Sequence, residues 1–212
     1  MTVEKIMDKN GIRIVAVPGS VRPGNFTLKA LNLVVDEARK NEHAIVELVD
    51  VAAIELGLPG TGESEGVKQL QKQVAEATGV ILATPEYHGS MSSVMKLVID
   101  NLGFPSVLSG KPVALLGVAA GQIGAIKALE HLRSVCSHVG AIVLPGPVSL
   151  AGVQKLFDGD GGCLDQAVEK RIRGLATNLL DYIHGSVCPR VALEEAVRRG
   201  GTQWMKRLVE GS

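Results

Sequence analysis

Apolar runs of strand length alternate along this chain with longer segments of helical period, and that alternation is the mark of a parallel sheet covered by helices on both faces. Residues 12–17 form the first run and stop at Pro18-Gly19. Beyond it, Leu28, Leu31, Val34, Val35 and Ala38 recur at helical spacing with Lys29, Asp36, Glu37 and Arg39 between them. A second strand is expected over 44–49, then a loop rich in Gly and Pro through Ser64, then a helix over 65–77. The third strand is expected over 80–83, ending at Thr84-Pro85, with a helix over 92–101. The fourth covers 112–118 with a helix over 123–139, and the fifth covers 141–144 with an amphipathic helix over 164–183. Five such β-α units joined by right-handed crossovers give a doubly wound, five-stranded parallel α/β sheet of order 2-1-3-4-5 in three α/β/α layers. Ligands of such sheets bind beyond the carboxyl ends of the strands, so chemistry belongs in the loops after strands one, three and four.

The 212 residues, 46% of them hydrophobic, suit one domain over 1–184 with a helical extension over 185–212. That extension has helical patterns at 192–199 and 203–209 and carries Trp204, the only tryptophan. Lys plus Arg and Asp plus Glu both number 22, so no global basic field draws nucleic acid or anionic lipid, and any phosphate must be held locally. Apolar stretches such as 113–120 fall far short of the ~20 residues that cross a bilayer, and the N-terminus has no charged-then-apolar export pattern. A cytoplasmic location without membrane association is expected. Cys136, Cys163 and Cys188 are odd in number and widely spaced, signalling neither a disulfide framework nor a zinc site. His131 and His138 lie two helical turns apart without a carboxylate pair, so no metal is expected; Lys96 and Asp100 read as a surface pair.

The first loop reads Gly19-Ser20-Val21-Arg22-Pro23-Gly24-Asn25-Phe26-Thr27, between a buried strand and a helix start. A helix start carries unpaired N–H groups and partial positive charge, which favour a phosphate. Ser20, Asn25 and Thr27 offer side-chain donors, Gly19 and Gly24 allow close approach, and Arg22 adds a charged planar fork. The Gly-Lys-Ser/Thr ending of a Walker loop and the G-x-G-x-x-G of dinucleotide folds are both absent. The third loop, Thr84-Pro85-Glu86-Tyr87-His88-Gly89-Ser90-Met91-Ser92-Ser93, sets a rigid Pro and an aromatic at a strand's end, a flat wall suited to an isoalloxazine; Ser92 or Ser93 can also simply cap the next helix. The fourth, residues 118–124, is small and flexible enough to pass beneath a ring.

These loops resemble the signatures of the NAD(P)H-dependent FMN reductase family, which includes flavin, quinone, azo-dye and chromate reductases of flavodoxin-like fold. Gly19, Ser20 and Arg22 match the phosphate signature, with Asn25 where the family usually has Ser and Thr27 at an Asn position. In the second signature Pro85, Glu86, Tyr87, Gly89, Ser90, Lys96, Ile99 and Asp100 match. Departures are His88 for Asn, Ser92 for Pro, Met95 for Leu, Leu97 for Asn and Asn101 for Trp. Residues 121–133 resemble the family's glycine-rich loop and following helix, here with Leu132-Arg133, and the resemblance covers residues 12–183.

The resemblance implies FMN as cofactor and NADPH or NADH as co-substrate. Electrons would pass by ping-pong to a small acceptor: free flavin, a quinone, an azo compound or an oxidised metal ion. It also implies a homodimer or homotetramer. Ser20, Arg22, Asn25, Phe26 and Thr27 would hold the phosphate, Phe26 through its backbone N–H. Pro85, Glu86, Tyr87, His88, Gly89 and Ser90 would line the ring, with Ala120, Gly121 and Gln122 at the opposite edge. The flavin carries the chemistry, so no catalytic side chain is required; His88 is a candidate modulator of proton supply. Two rival classes share the fold: a flavodoxin-type electron carrier and a non-catalytic nucleotide-binding or regulatory module.

Overall fold

A computed structural model describes residues 11–198. Strands β1 (Ile12–Pro18), β3 (Gly79–Tyr87) and β5 (Pro112–Val118) form the centre of the sheet and are buried along nearly their whole length, as strands covered on both faces must be. β2 (Ala44–Leu48) adds to β1 and β6 (Ile142–Val143) adds to β5, all parallel, in the spatial order β2-β1-β3-β5-β6. This is the doubly wound order expected of five units, because β4 (Ser90–Met91) is only an antiparallel hairpin partner of the end of β3.

Successive side chains on a strand point to opposite faces. Ile14 and Ala16 therefore join one apolar cluster with helices α1 (Phe26–Ala38) and α5 (Gln166–Tyr182). Val15 and Val17 join the other with α2 (Glu65–Glu76), α3 (Ser93–Asp100) and α4 (Ile126–His138). Asn25, Ser64, Ser92 and Asp165 cap α1, α2, α3 and α5 by accepting from backbone N–H groups of the first turn. Cys136 is buried in the second cluster, where desolvation pushes its thiol up to about 12, so it stays protonated and inert.

Three features differ from the sequence expectation. First, β3 does not stop at Thr84-Pro85 but continues through Tyr87, and residues 84–87 are strand. β1 ends opposite Ala83, and Pro85 lies on the same edge of β3 as Ala83. Its missing N–H therefore removes no ladder bond. His88 and Gly89, with φ of 50° and 73°, then make a two-residue turn into β4. Second, the fifth strand expected over 141–144 is shortened to β6, and a further, unexpected strand, β7 (Val148–Leu150), pairs with the rest of β5. Leu144, Pro145, Gly146 and Pro147 stand opposite Ala114 and Leu115 alone, and the two prolines, which cannot donate, interrupt the ladder. Third, α5 passes through a π turn (Ile183–Val187) into α6 (Cys188–Arg198), so the helical path is unbroken at 184. The helical pattern expected over 203–209, with Trp204, and Arg199 lie outside the described residues. Among the described residues no helix is long and apolar enough to cross a membrane. Lys96 and Asp100 pair on the surface of α3, Nζ to Oδ1 at 2.7 Å.

Candidate functional site

A cleft of ≈ 400 Å³ opens at the carboxyl ends of β1, β3 and β5, and its size falls within the roughly 300–1,000 Å³ of small-molecule sites. One side is the loop that follows β1. Asn25 spends its side chain on that loop: Oδ1 accepts from Leu28 N–H at 2.8 Å, and Nδ2 donates to the Arg22 carbonyl at 2.6 Å. Asn25 therefore shapes the cradle, and its amide is not the free phosphate donor the sequence suggested. With the cap in place, Phe26 and Thr27 open α1 and bring unpaired N–H groups to the cleft wall. Ser20, Arg22, Pro23 and Gly24 complete this side.

Ser20 carries the most informative atom of the site. Its Oγ is buried and is, among the described residues, the only buried side-chain nitrogen or oxygen without a hydrogen-bond partner. Such an atom costs about 1–3 kcal/mol when it stays unsatisfied, so its place in the cleft fits an oxygen-rich ligand. Concavities of ≈ 720, ≈ 890 and ≈ 750 Å³ elsewhere on the surface hold no atom of this kind.

The opposite wall is the extended end of β3, where Pro85, Glu86 and Tyr87 line the cleft and Tyr87 is partly exposed at its mouth. His88, Gly89 and Ser90 lie just past the lining, in the hairpin. Ser90 Oγ is 2.9 Å from Nδ1 of His131 on α4. His88 is the only non-glycine residue with positive φ among the described residues, a conformation that Asn and His accept far better than β-branched residues. His88→Val should destabilise the protein by about 1–3 kcal/mol while His88→Asn leaves stability close to wild type. Urea denaturation of both variants checks this, and equal midpoints would contradict it.

Glu86 does more than line the cleft. Helix α4 has Ala125 at its N-cap and no side-chain cap of its own, and Glu86 Oε2 accepts the Ala128 N–H at 3.1 Å. A carboxylate beside a helix N-terminus also interacts favourably with the helix dipole. Removing a cap costs about 0.5–2 kcal/mol. Glu86→Ala should accordingly lower the thermal midpoint by roughly 2–4 °C per kcal/mol lost, while Glu86→Gln, which keeps an acceptor oxygen, loses less.

Of the third expected wall only Ala120 lines the cleft, joined by Val118 from β5. Gly121 and Gln122 are exposed outside it; the Gly121 carbonyl instead accepts from Gly152 N–H at 3.0 Å. Val153 and Gln154 fill the gap, and the sequence reading missed both because it missed β7, the strand that delivers them. Their segment is held against α1 by the Phe26 and Phe157 rings, 6.2 Å apart, and by Lys29 Nζ donating to the Asp158 carbonyl at 2.8 Å. The only available cue was the apolar Val148-Ser149-Leu150 after the prolines.

A parallel sheet of order 2-1-3-4-5 with a cleft between the amino end of α1 and the end of β3 is the architecture of flavodoxin-like mononucleotide-binding proteins. The sequence model of the NADPH-dependent FMN reductase family matches residues 12–155, and the chain belongs to that family. It is 31% identical over 168 residues to an NAD(P)H-dependent FMN reductase of Pseudomonas aeruginosa, covering 76% of this chain and 90% of the relative. It is 36% identical over 155 residues to an NADPH azoreductase of Bacillus sp. strain OY1-2, covering 71% and 83%. The fold is shared with a flavoenzyme NAD(P)H:(acceptor) oxidoreductase of Paracoccus denitrificans, with a TM-score of 0.68 at 24% identity over 82% of this chain and 98% of that one. The protein is thus an FMN-dependent NAD(P)H oxidoreductase.

Proposed function

We propose that the cleft holds FMN with its phosphate at the amino end of α1 and its ring against Pro85–Tyr87, and that a reduced nicotinamide and a small acceptor use the same exposed face in turn. The buried, unpartnered Ser20 Oγ carries this reading, because it awaits an acceptor or donor that the protein itself does not supply. FMN, when bound, supplies the hydride and electron chemistry; the chain's residues bind and orient it. Ser20, Arg22 and the N–H groups of Phe26 and Thr27 hold the phosphate. Pro85 and Tyr87 set the plane of the ring, Ala120, Val153 and Gln154 bound its other side, and Glu86 fixes the distance between β3 and α4. His88, at the hairpin tip, would tune proton delivery to an acceptor; an unchanged pH profile of turnover in His88→Asn removes that role.

A flat acceptor such as a quinone or an azo compound fits an open stacking face, and the azoreductase relative supports the latter. The reading further places the enzyme in the cytoplasm, as a homodimer or homotetramer, with residues 185–212 as an extension of a domain over 1–184. Its test is a visible spectrum of the purified protein with and without added FMN, followed by NADPH under argon and then a quinone or azo dye. A bound flavin that bleaches with NADPH and recovers with the acceptor is the expected result. A colourless protein that refuses FMN overturns the reading.

A further inference from the structure

Gly19 has both of its peptide links tied down from below the cleft. Its N–H donates to the Ala83 carbonyl at 2.6 Å, and its carbonyl accepts from Ser92 Oγ–H at 2.6 Å. Ser92 is fully buried at the N-cap of α3 and makes two further bonds: Oγ accepts the Met95 N–H at 3.0 Å, and its own N–H donates to Thr84 Oγ1 at 3.0 Å. Thr84, also fully buried, donates a hydrogen bond from its hydroxyl to the Pro85 carbonyl at 2.9 Å. One connected set of bonds thus runs from the ring wall at Pro85 through Thr84 and Ser92 to the phosphate loop at Gly19.

Position 92 is where the family signature has proline, which has neither the N–H that reaches Thr84 nor the hydroxyl that reaches Gly19 and Met95. A planar trans peptide points its C=O and N–H in opposite directions. Holding the Gly19 carbonyl toward Ser92 therefore turns the Ser20 N–H the other way, and Ser20 lies on the cleft wall with its Oγ still unpaired. We propose that Ser92, backed by Thr84, is a positioning residue that pre-sets the Ser20 donors for the FMN phosphate, a task specific to this chain's departure at 92. Asn25 braces the far end of the loop, at Arg22 and Leu28, and reaches the Ser20 carbonyl only with a long 3.5 Å bond, so the peptide that carries the Ser20 N–H is held from the Gly19 side by Ser92. The inference rests on the FMN placement proposed above.

The test measures dissociation constants of FMN and riboflavin for the apoprotein by flavin fluorescence quenching, in wild type, Ser92→Ala, Ser92→Pro, Thr84→Val and Thr84→Ser. A merely structural role would weaken both ligands alike, because riboflavin shares the ring but lacks the phosphate. Ser92→Ala should weaken FMN about tenfold while riboflavin changes less than twofold, and Ser92→Pro should weaken FMN further although it restores the family residue. Thr84→Val should fall between, and Thr84→Ser, which keeps the oxygen, should bind as wild type. Should Ser92→Ala or Ser92→Pro not fold, the Thr84 pair decides alone. Equal losses for the two ligands, or an unchanged FMN constant in folded variants, overturns the inference. Wild-type protein that binds no FMN overturns the cofactor placement itself, a separate result.

Discussion

Gly19→Val is expected to abolish detectable FMN binding and to destabilise the fold. A Cβ on Gly19 would lie 2.9 Å from Met95 Cβ, closer than real Cβ atoms approach, and 3.0 Å from the Ala83 carbonyl oxygen, tighter than nearly all real Cβ contacts. Neither can yield cheaply: Met95 belongs to the buried face of α3, packed in the core, and the Ala83 oxygen already accepts the Gly19 N–H. Forcing a branched side chain into such a site costs about 1–3 kcal/mol even when only side chains have to move. The least costly escape lifts the loop off β3, which carries Ser20 and Arg22 away from the ligand. Losing two charge-assisted hydrogen bonds of about 1.5–3 kcal/mol each weakens binding by more than 100-fold. Gly24 is the control. Its φ is +65° and a Cβ there would meet nothing within 4 Å, so Gly24→Asn, which tolerates that conformation, should unfold near the wild-type midpoint. Retention of FMN by a folded Gly19→Val protein would show that the loop is not where the phosphate lies.

Arg22→Ala is expected to weaken FMN by roughly 10- to 150-fold and riboflavin hardly at all, the equivalent of about 1.5–3 kcal/mol for a charged hydrogen bond. The Arg22 side chain is exposed at the cleft rim and its guanidinium pairs with no carboxylate among the described residues, so the fold loses nothing with it. Thermal midpoints of the apoprotein should be equal within error. Arg22→Lys should recover part of the affinity, since it keeps the charge but not the planar fork that meets two phosphate oxygens at once. Raising the salt concentration should narrow the gap between wild type and Arg22→Ala, because an exposed contact of this kind is screened. Parallel loss of riboflavin and FMN would place Arg22 at the ring rather than at the phosphate.

Much of this site is written locally in the chain. The five apolar runs fix the order of the sheet because each is long enough for a buried strand and each is followed by a helical period, so few connections can bury them all. The first loop of the cleft is partly legible as well: Gly19, Ser20, Arg22 and Asn25 all fall within the seven residues before the start of the first helix, although the structure makes Asn25 the cap of that helix and not a free donor. What required the tertiary structure are the contacts between segments far apart in sequence. Val153 and Gln154 reach the cleft only because β7 pairs with β5 beyond an interruption at Pro145 and Pro147. Glu86 turns out to cap α4, 42 residues away, and Ser92 to brace Gly19, 73 residues away. Capping propensity marks Ser92 as a helix start, but no local rule says which distant carbonyl its hydroxyl will meet, because that partner is chosen by how the strands stack their ends together.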